Sequence, residues 1–227
     1  MKEKLAKLKF TDSNKLAWYT IATLIVIILL QVAGYFTFLN QIPNFLTKFG
    51  WWIFYLDISV ATIAGAFWYY TTYKGYVSCM ASMMIGMTLG MQTGMMLGSV
   101  FGAVNGYFIG AMIGMILGTV VGLITGKASI MGMVQGAMSG LMGGTMGAMI
   151  TVMMYTDHVL YFMPFYMIIN IAILVGFAYM YHDEVIKDNK EVVKRHVSIW
   201  TIILLSVIAD IVFTALMIYG PKSILFG

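Results

Sequence analysis

The residues best able to do chemistry in this chain are methionines and two aspartates. Met83, Met87, Met91 and Met95 fall on every fourth position, and Met138, Met142 and Met146 repeat the spacing further on. A thioether is neutral, soft and a poor hydrogen-bond acceptor. It suits Cu(I) or Ag(I), and it holds such a cation without an expensive buried anion. Cys79, the single cysteine, stands just before the first ladder and adds a candidate thiolate ligand. Asp57 and Asp210 lie inside long apolar runs. A carboxylate there costs about 2.5–3.5 kcal/mol even on the lenient insertion scale, which makes both candidate sites for a bound cation or a shared proton.

The elements that carry these groups follow from glycine. Gly86, Gly90, Gly94, Gly98, Gly102, Gly106, Gly110, Gly114, Gly118, Gly122 and Gly126 form an unbroken period of four. Each glycine weakens a helix by about 1 kcal/mol relative to alanine. Lipid tolerates that cost, because it forces the backbone to stay helical and rewards close helix contact. The run covers 41 residues, about 60 Å as one helix and twice a bilayer's hydrocarbon core. It must fold back, and Asn105-Gly106 is the one polar break near its middle. Gly132, Gly136, Gly140 and Gly144 give the next helix its own stripe. Three consecutive helices are therefore expected to pack backbone to backbone as a glycine zipper, a Gly/Met-rich three-helix core. Met87, Met91 and Met95 each follow a glycine by one residue, so their stripe lies about 100° around the same helix. Measured from the starts of two parallel helices, Met87, Met91 and Met95 match Met138, Met142 and Met146 in level and would present thioethers in rungs.

Composition sets the outer frame. The 227 residues are 61% hydrophobic and 10% charged, against about 25% charged in a soluble domain. The expected fold is an all-α polytopic membrane protein, one transmembrane domain over 1–227. Its seven spans fall at about 16–39, 51–73, 78–103, 107–126, 129–154, 159–181 and 197–219. With the N-terminus cytoplasmic, the inner segments hold Lys2, Lys4, Lys7, Lys9, Lys15, Lys74, Lys127, Lys187, Lys190, Lys194 and Arg195, and the outer ones only Lys48 and Lys222. That bias fits the positive-inside rule and explains the net charge of +4 without nucleic acid. The basic N-terminus precedes an apolar run too long for a signal peptide, and reads as a retained first span. The expected location is the cell membrane, of prokaryotic type.

The pairing of Met-x-x-x-Met with Gly-x-x-x-Gly is similar to the motif pair of the Ctr-type copper transporters. The resemblance covers the motifs alone: that family has three spans with the motifs on different helices, whereas here both share the third of seven. It implies passage of Cu(I) along methionine-lined helices. The first functional expectation is thus a transporter or channel for a soft metal cation, Cu(I), with no ATPase of its own. The second is a structural or assembly subunit whose partner is another copy or a larger membrane complex, the methionines then only filling gaps between glycine helices. No catalytic set, nucleotide loop or metalloprotease motif is present, so no enzyme is expected. Gln31, Gln92 and Asn170 read as interhelical hydrogen-bond residues. Asp157-His158 outside, and His182-Asp183-Glu184 with His196 inside, are solvated-loop candidates for gathering a cation.

Overall fold

The computed structural model describes residues 18, 20–32, 45–74, 77–154, 158–186, 193–194 and 199–221. The N-terminal lysines, Asp157, Lys187, Lys190, Arg195, His196 and Lys222 lie outside the described residues. The chain is helical: α1 (Thr20–Val32), α2 (Phe45–Thr72), α3 (Cys79–Asn105), α4 (Tyr107–Thr125), α5 (Ile130–Met153), α6 (Val159–Tyr181) and α7 (Ile199–Tyr219). A single π-helical turn, His182–Ile186, closes α6. Two short strands, β1 (Tyr73–Lys74) and β2 (Val193–Lys194), pair antiparallel.

Helix boundaries follow local chemistry. Ser78 accepts a hydrogen bond from the Ala81 amide and Ser129 from the Gly132 amide, so α3 and α5 each begin on a serine cap. The long glycine run breaks where expected. α3 ends at Asn105, α4 begins at Tyr107, and Gly106 between them has φ 92°. Only glycine adopts that conformation cheaply, and it lets two helices reverse in one residue. At the other end α2 starts at Phe45, earlier than the expected residue 51. Asp57 is therefore about 18 Å along its helix, nearer the middle than the sequence spacing suggested.

α3, α4 and α5 form one unit whose centre is glycine backbone. The levels stack as Gly86 with Gly126 and Gly132, Gly90 with Gly122 and Gly136, Gly94 with Gly118 and Gly140, and Gly98 with Gly114 and Gly144. At the turn end, Gly102 meets Ala148, and Gly110 meets Gly102. A methyl group added to Gly86, Gly90, Gly94 or Gly98 would sit 2.9, 2.8, 2.8 or 2.7 Å from the carbonyl oxygen of Gly132, Gly136, Gly140 or Gly144. No side chain fits there, so the helices touch through peptide groups. The spacing of these partners makes α3 and α5 parallel, with α4 antiparallel between them.

α2, α6 and α7 gather on α3 through ordinary side chains. Phe101 of α3 meets Phe213 of α7 edge-on at 5.7 Å between ring centroids. Tyr181 of α6 packs on Tyr69 and Tyr70 of α2 at 5.8 and 5.9 Å. α1 runs antiparallel to α2, its Thr20 methyl against Gly65. At one end of the bundle the Asn105 side-chain amide donates to the Pro221 carbonyl at 3.2 Å, which joins the α3–α4 turn to the end of α7. At the other end β1 and β2 join the foot of α2 to the approach to α7.

Among the described residues four helices are long and apolar enough to cross a membrane: Phe49–Thr72, Tyr107–Thr125, Val159–Glu184 and Trp200–Tyr219. The protein is membrane-embedded on that ground. α3 and α5 are as long, but their glycine, serine, threonine and glutamine lower their hydropathy.

Candidate functional site

Two sites emerge, and they lie on different helices. The first joins α1, α2 and α7. Asp57 and Asp210 are 2% and 3% exposed. The Gln31 side-chain nitrogen stands between them, donating to Asp57 Oδ1 at 2.6 Å and to Asp210 Oδ2 at 2.9 Å. The two carboxyl groups, 153 residues apart in sequence, are thus neighbours across one amide nitrogen. Asp210 Oδ1 is enclosed without a hydrogen-bond partner, as is Thr214 Oγ1 one helical turn further on. From Asp210 to Tyr219 is about 14 Å of helix, so the site sits near mid-helix. Gln31 therefore makes the interhelical bonds expected of it.

The second site is the methionine face of α3 and α5. Their parallel packing sets the Met91 carbonyl against Gly143 and the Met95 carbonyl against Gly147. Met142 and Met146 are the residues preceding those glycines, so the two ladders run at matched depth. The Gln135 amide approaches the Met87 sulfur at 3.7 Å, a direct bridge between the helices. The stripes do not enclose a channel within one chain. Met138, Met142, Met146 and Met87 are 61, 57, 46 and 43% exposed, and Met83, Met91 and Met95 are half-buried. The glycine interior of α3–α4–α5 leaves no space for a conduit along its own axis. Cys79 is exposed at the start of α3, one turn before Met83.

The aspartates and the methionine ladders do not form one constellation. α2 and α7 pack on α3, while α5 packs chiefly on α3 and α4. No group of three or more His, Cys, Asp or Glu side chains able to hold a metal occurs among the described residues. A metal on the α3–α5 face would rest on sulfur alone. Gln92 and Asn170 make no interhelical bond: Asn170 donates to the Tyr166 carbonyl of its own helix at 2.7 Å, and Gln92 Oε1 is buried without a partner. His182, Asp183 and Glu184 form the π-helical turn, and His158 starts α6 in a left-handed conformation.

One cluster has no counterpart in the sequence reading. Met96 and Met167 are buried between α2, α3 and α6, with the Thr62 hydroxyl 3.9 Å from the Met96 sulfur and the Ser59 hydroxyl 3.8 Å from the Met167 sulfur. The four-residue spacing of Met163 and Met167 was a visible signal for it. Both hydroxyls also bond carbonyls of their own helix at 2.7 Å, so the sulfurs pack against polar groups already satisfied.

Comparison with protein-family models, curated proteins and solved structures finds no match.

Proposed function

We propose that this chain is a seven-span membrane transporter for a soft metal cation, Cu(I), with its N-terminus inside and C-terminus outside. The cation steps along the methionine face of α3 and α5. One observation carries the reading. Two parallel helices hold thioether ladders at matched depth, bridged at Met87 and Gln135, with no carboxylate among them. Repeated neutral ligands of moderate strength let a cation move from rung to rung, which conduction requires. Cys79 at the foot of α3 supplies a stronger inner ligand, and the exposed faces of Met138, Met142 and Met146 need a second copy or a partner to close the path. The alternation of helix direction supports seven spans. The α3–α4 turn meets the end of α7, and β1 meets β2 at the opposite side, so α3 and α5 cover the same slab as the four apolar helices.

Purified protein in liposomes tests the transport reading. Silver(I) or copper(I) should enter with wild-type protein, and uptake should fall at least tenfold in Met91→Leu with Met142→Leu. Uptake equal to that of empty liposomes would reject it. A cysteine placed at Tyr107, exposed beside the α3–α4 turn, in a Cys79→Ser background should react with an impermeant thiol reagent from outside; reaction only from inside would reject the topology.

A second reading, a subunit that docks other membrane proteins, is favoured by the same exposed face of α5. A stoichiometric partner retained through mild-detergent purification would support it, and an isolated monodisperse chain would oppose it.

A further inference from the structure

The methionine ladders make no use of the most expensive feature of the molecule. Asp57 and Asp210 are buried at mid-helix against each other, and a buried carboxylate needs a positive partner, a metal or a proton. The described elements around them offer no positive partner. α1 holds no titratable residue from 20 to 32. α7 holds only Asp210 and Tyr219. α3 holds Cys79 at its far end, and α2 holds Tyr55, Tyr69, Tyr70 and Lys48, the lysine more than two turns before Asp57. Among the described residues no third His, Cys, Asp or Glu joins the two aspartates.

The hydrogen-bond geometry narrows what neutralises the pair. Gln31 presents its nitrogen, not its oxygen, to both carboxyls. An amide nitrogen carries two N–H groups, one for each carboxyl. Asp210 Oδ1 is enclosed and accepts no hydrogen bond. It is where an O–H bond can form.

We propose that Asp57, Asp210 and Gln31 form an intramembrane proton-binding site. In its resting form one carboxyl carries a proton and the other is ionised, with Gln31 donating to both, so the pair bears one negative charge. Uptake of one proton from water forms a second O–H bond and leaves the pair neutral; release reverses the step. No electron moves and no other bond changes. The carboxyls come from α2 and α7 and the amide from α1, so loading alters the bond that ties these three helices together. Resting on the transport reading above, this site is where a proton gradient would drive the cation on α3 and α5.

Infrared spectroscopy of the full chain reads the site without any metal. At neutral pH the wild type should show a carboxylic-acid C=O band that shifts in heavy water. Asp57→Asn with Asp210→Asn should lose it while melting cooperatively. Gln31→Leu should keep the band but move it, because a donor has gone. Absence of the band at neutral pH, its persistence in the double variant, or its removal at constant pH by sodium or potassium would overturn the proposal; the last result would make the site one for an alkali cation. Silver(I) uptake into liposomes tests the coupling separately. A proton gradient should accelerate it several-fold in wild type and not in Asp57→Asn. A band that behaves as stated beside absent uptake supports the proton site and rejects only the soft-metal reading.

Discussion

The α3–α4–α5 unit and the α1–α2–α7 group solve one problem in two ways. Lipid gives helices no hydrophobic reason to associate, so contact must come from packing or hydrogen bonds. In the first unit glycines remove the side chains, and peptide groups meet directly over five levels. No ionisable group lies among those glycines, and the side chains that reach them include the short hydroxyls of Ser82, Ser139 and Thr151. In the second group side chains fill the space, and one amide ties two carboxyls on separate helices. The first is suited to presenting a rigid outer face, the second to changing when its charge changes. A transporter needs both: a fixed row of ligands and an element that responds to an energy source.

The largest expected effect attacks the glycine unit. A Cβ at Gly140 would run into the Gly118 backbone, which has no rotamer to offer. Gly140→Val should therefore cost at least about 3 kcal/mol and remove most of the monodisperse protein from a size-exclusion profile. A near-wild-type melting temperature would mean that the three helices are not held by backbone contact. Next comes the hydrogen-bonded group. Gln31→Leu leaves two buried carboxyls without their shared donor, and should lower stability by about 1–3 kcal/mol, read as a drop in thermal midpoint in detergent. If the midpoint stays put, the amide does not tie α1 to α2 and α7.

Smaller effects sharpen the contrast. Met91→Leu with Met142→Leu conserves volume on a half-exposed face, so stability should change by less than about 1.5 kcal/mol even as metal binding disappears. A large loss of stability would return those methionines to a packing role. At Gly176 of α6 an added methyl meets nothing within 4 Å. Gly176→Ala should be neutral or stabilise by up to about 1 kcal/mol in the same melt. The pair Gly140 and Gly176 thus separates glycine as contact from glycine as mere composition.

The sequence was most legible where its spacing had one physical solution. A period-four glycine run too long for a bilayer had to reverse, and Asn105-Gly106 was the only break; the turn is there. The helices α3 to α6 begin and end within two residues of the expected spans, because capping serines, Gly106 and the flanking polar residues mark them. The meeting of Asp57 and Asp210 was legible only as a matched depth. What the spacing could not reveal was that Gln31 would stand between them, since rotation of α1 about its axis leaves no mark in an apolar run. The methionine stripes illustrate the opposite gap. Periodicity placed them on a common face, yet whether that face looks inward or outward depends on which helices cover α5, and α5 is left open beyond α3 and α4. The Met96–Met167 cluster was missed for a related reason. Its partners come from three helices, and a four-residue spacing on α6 alone does not reveal a sulfur on α3.

The central claim is that the thioether ladders of α3 and α5 bind a soft cation. Elemental analysis of copper retained by purified protein after reduction and gel filtration tests it most directly, comparing wild type with the Met87, Met91, Met142 and Met146→Leu variant. At least one Cu(I) per wild-type chain is expected, and less than about a tenth of that in a variant with an unchanged melt. Equal copper in both, or none in wild type, would contradict it.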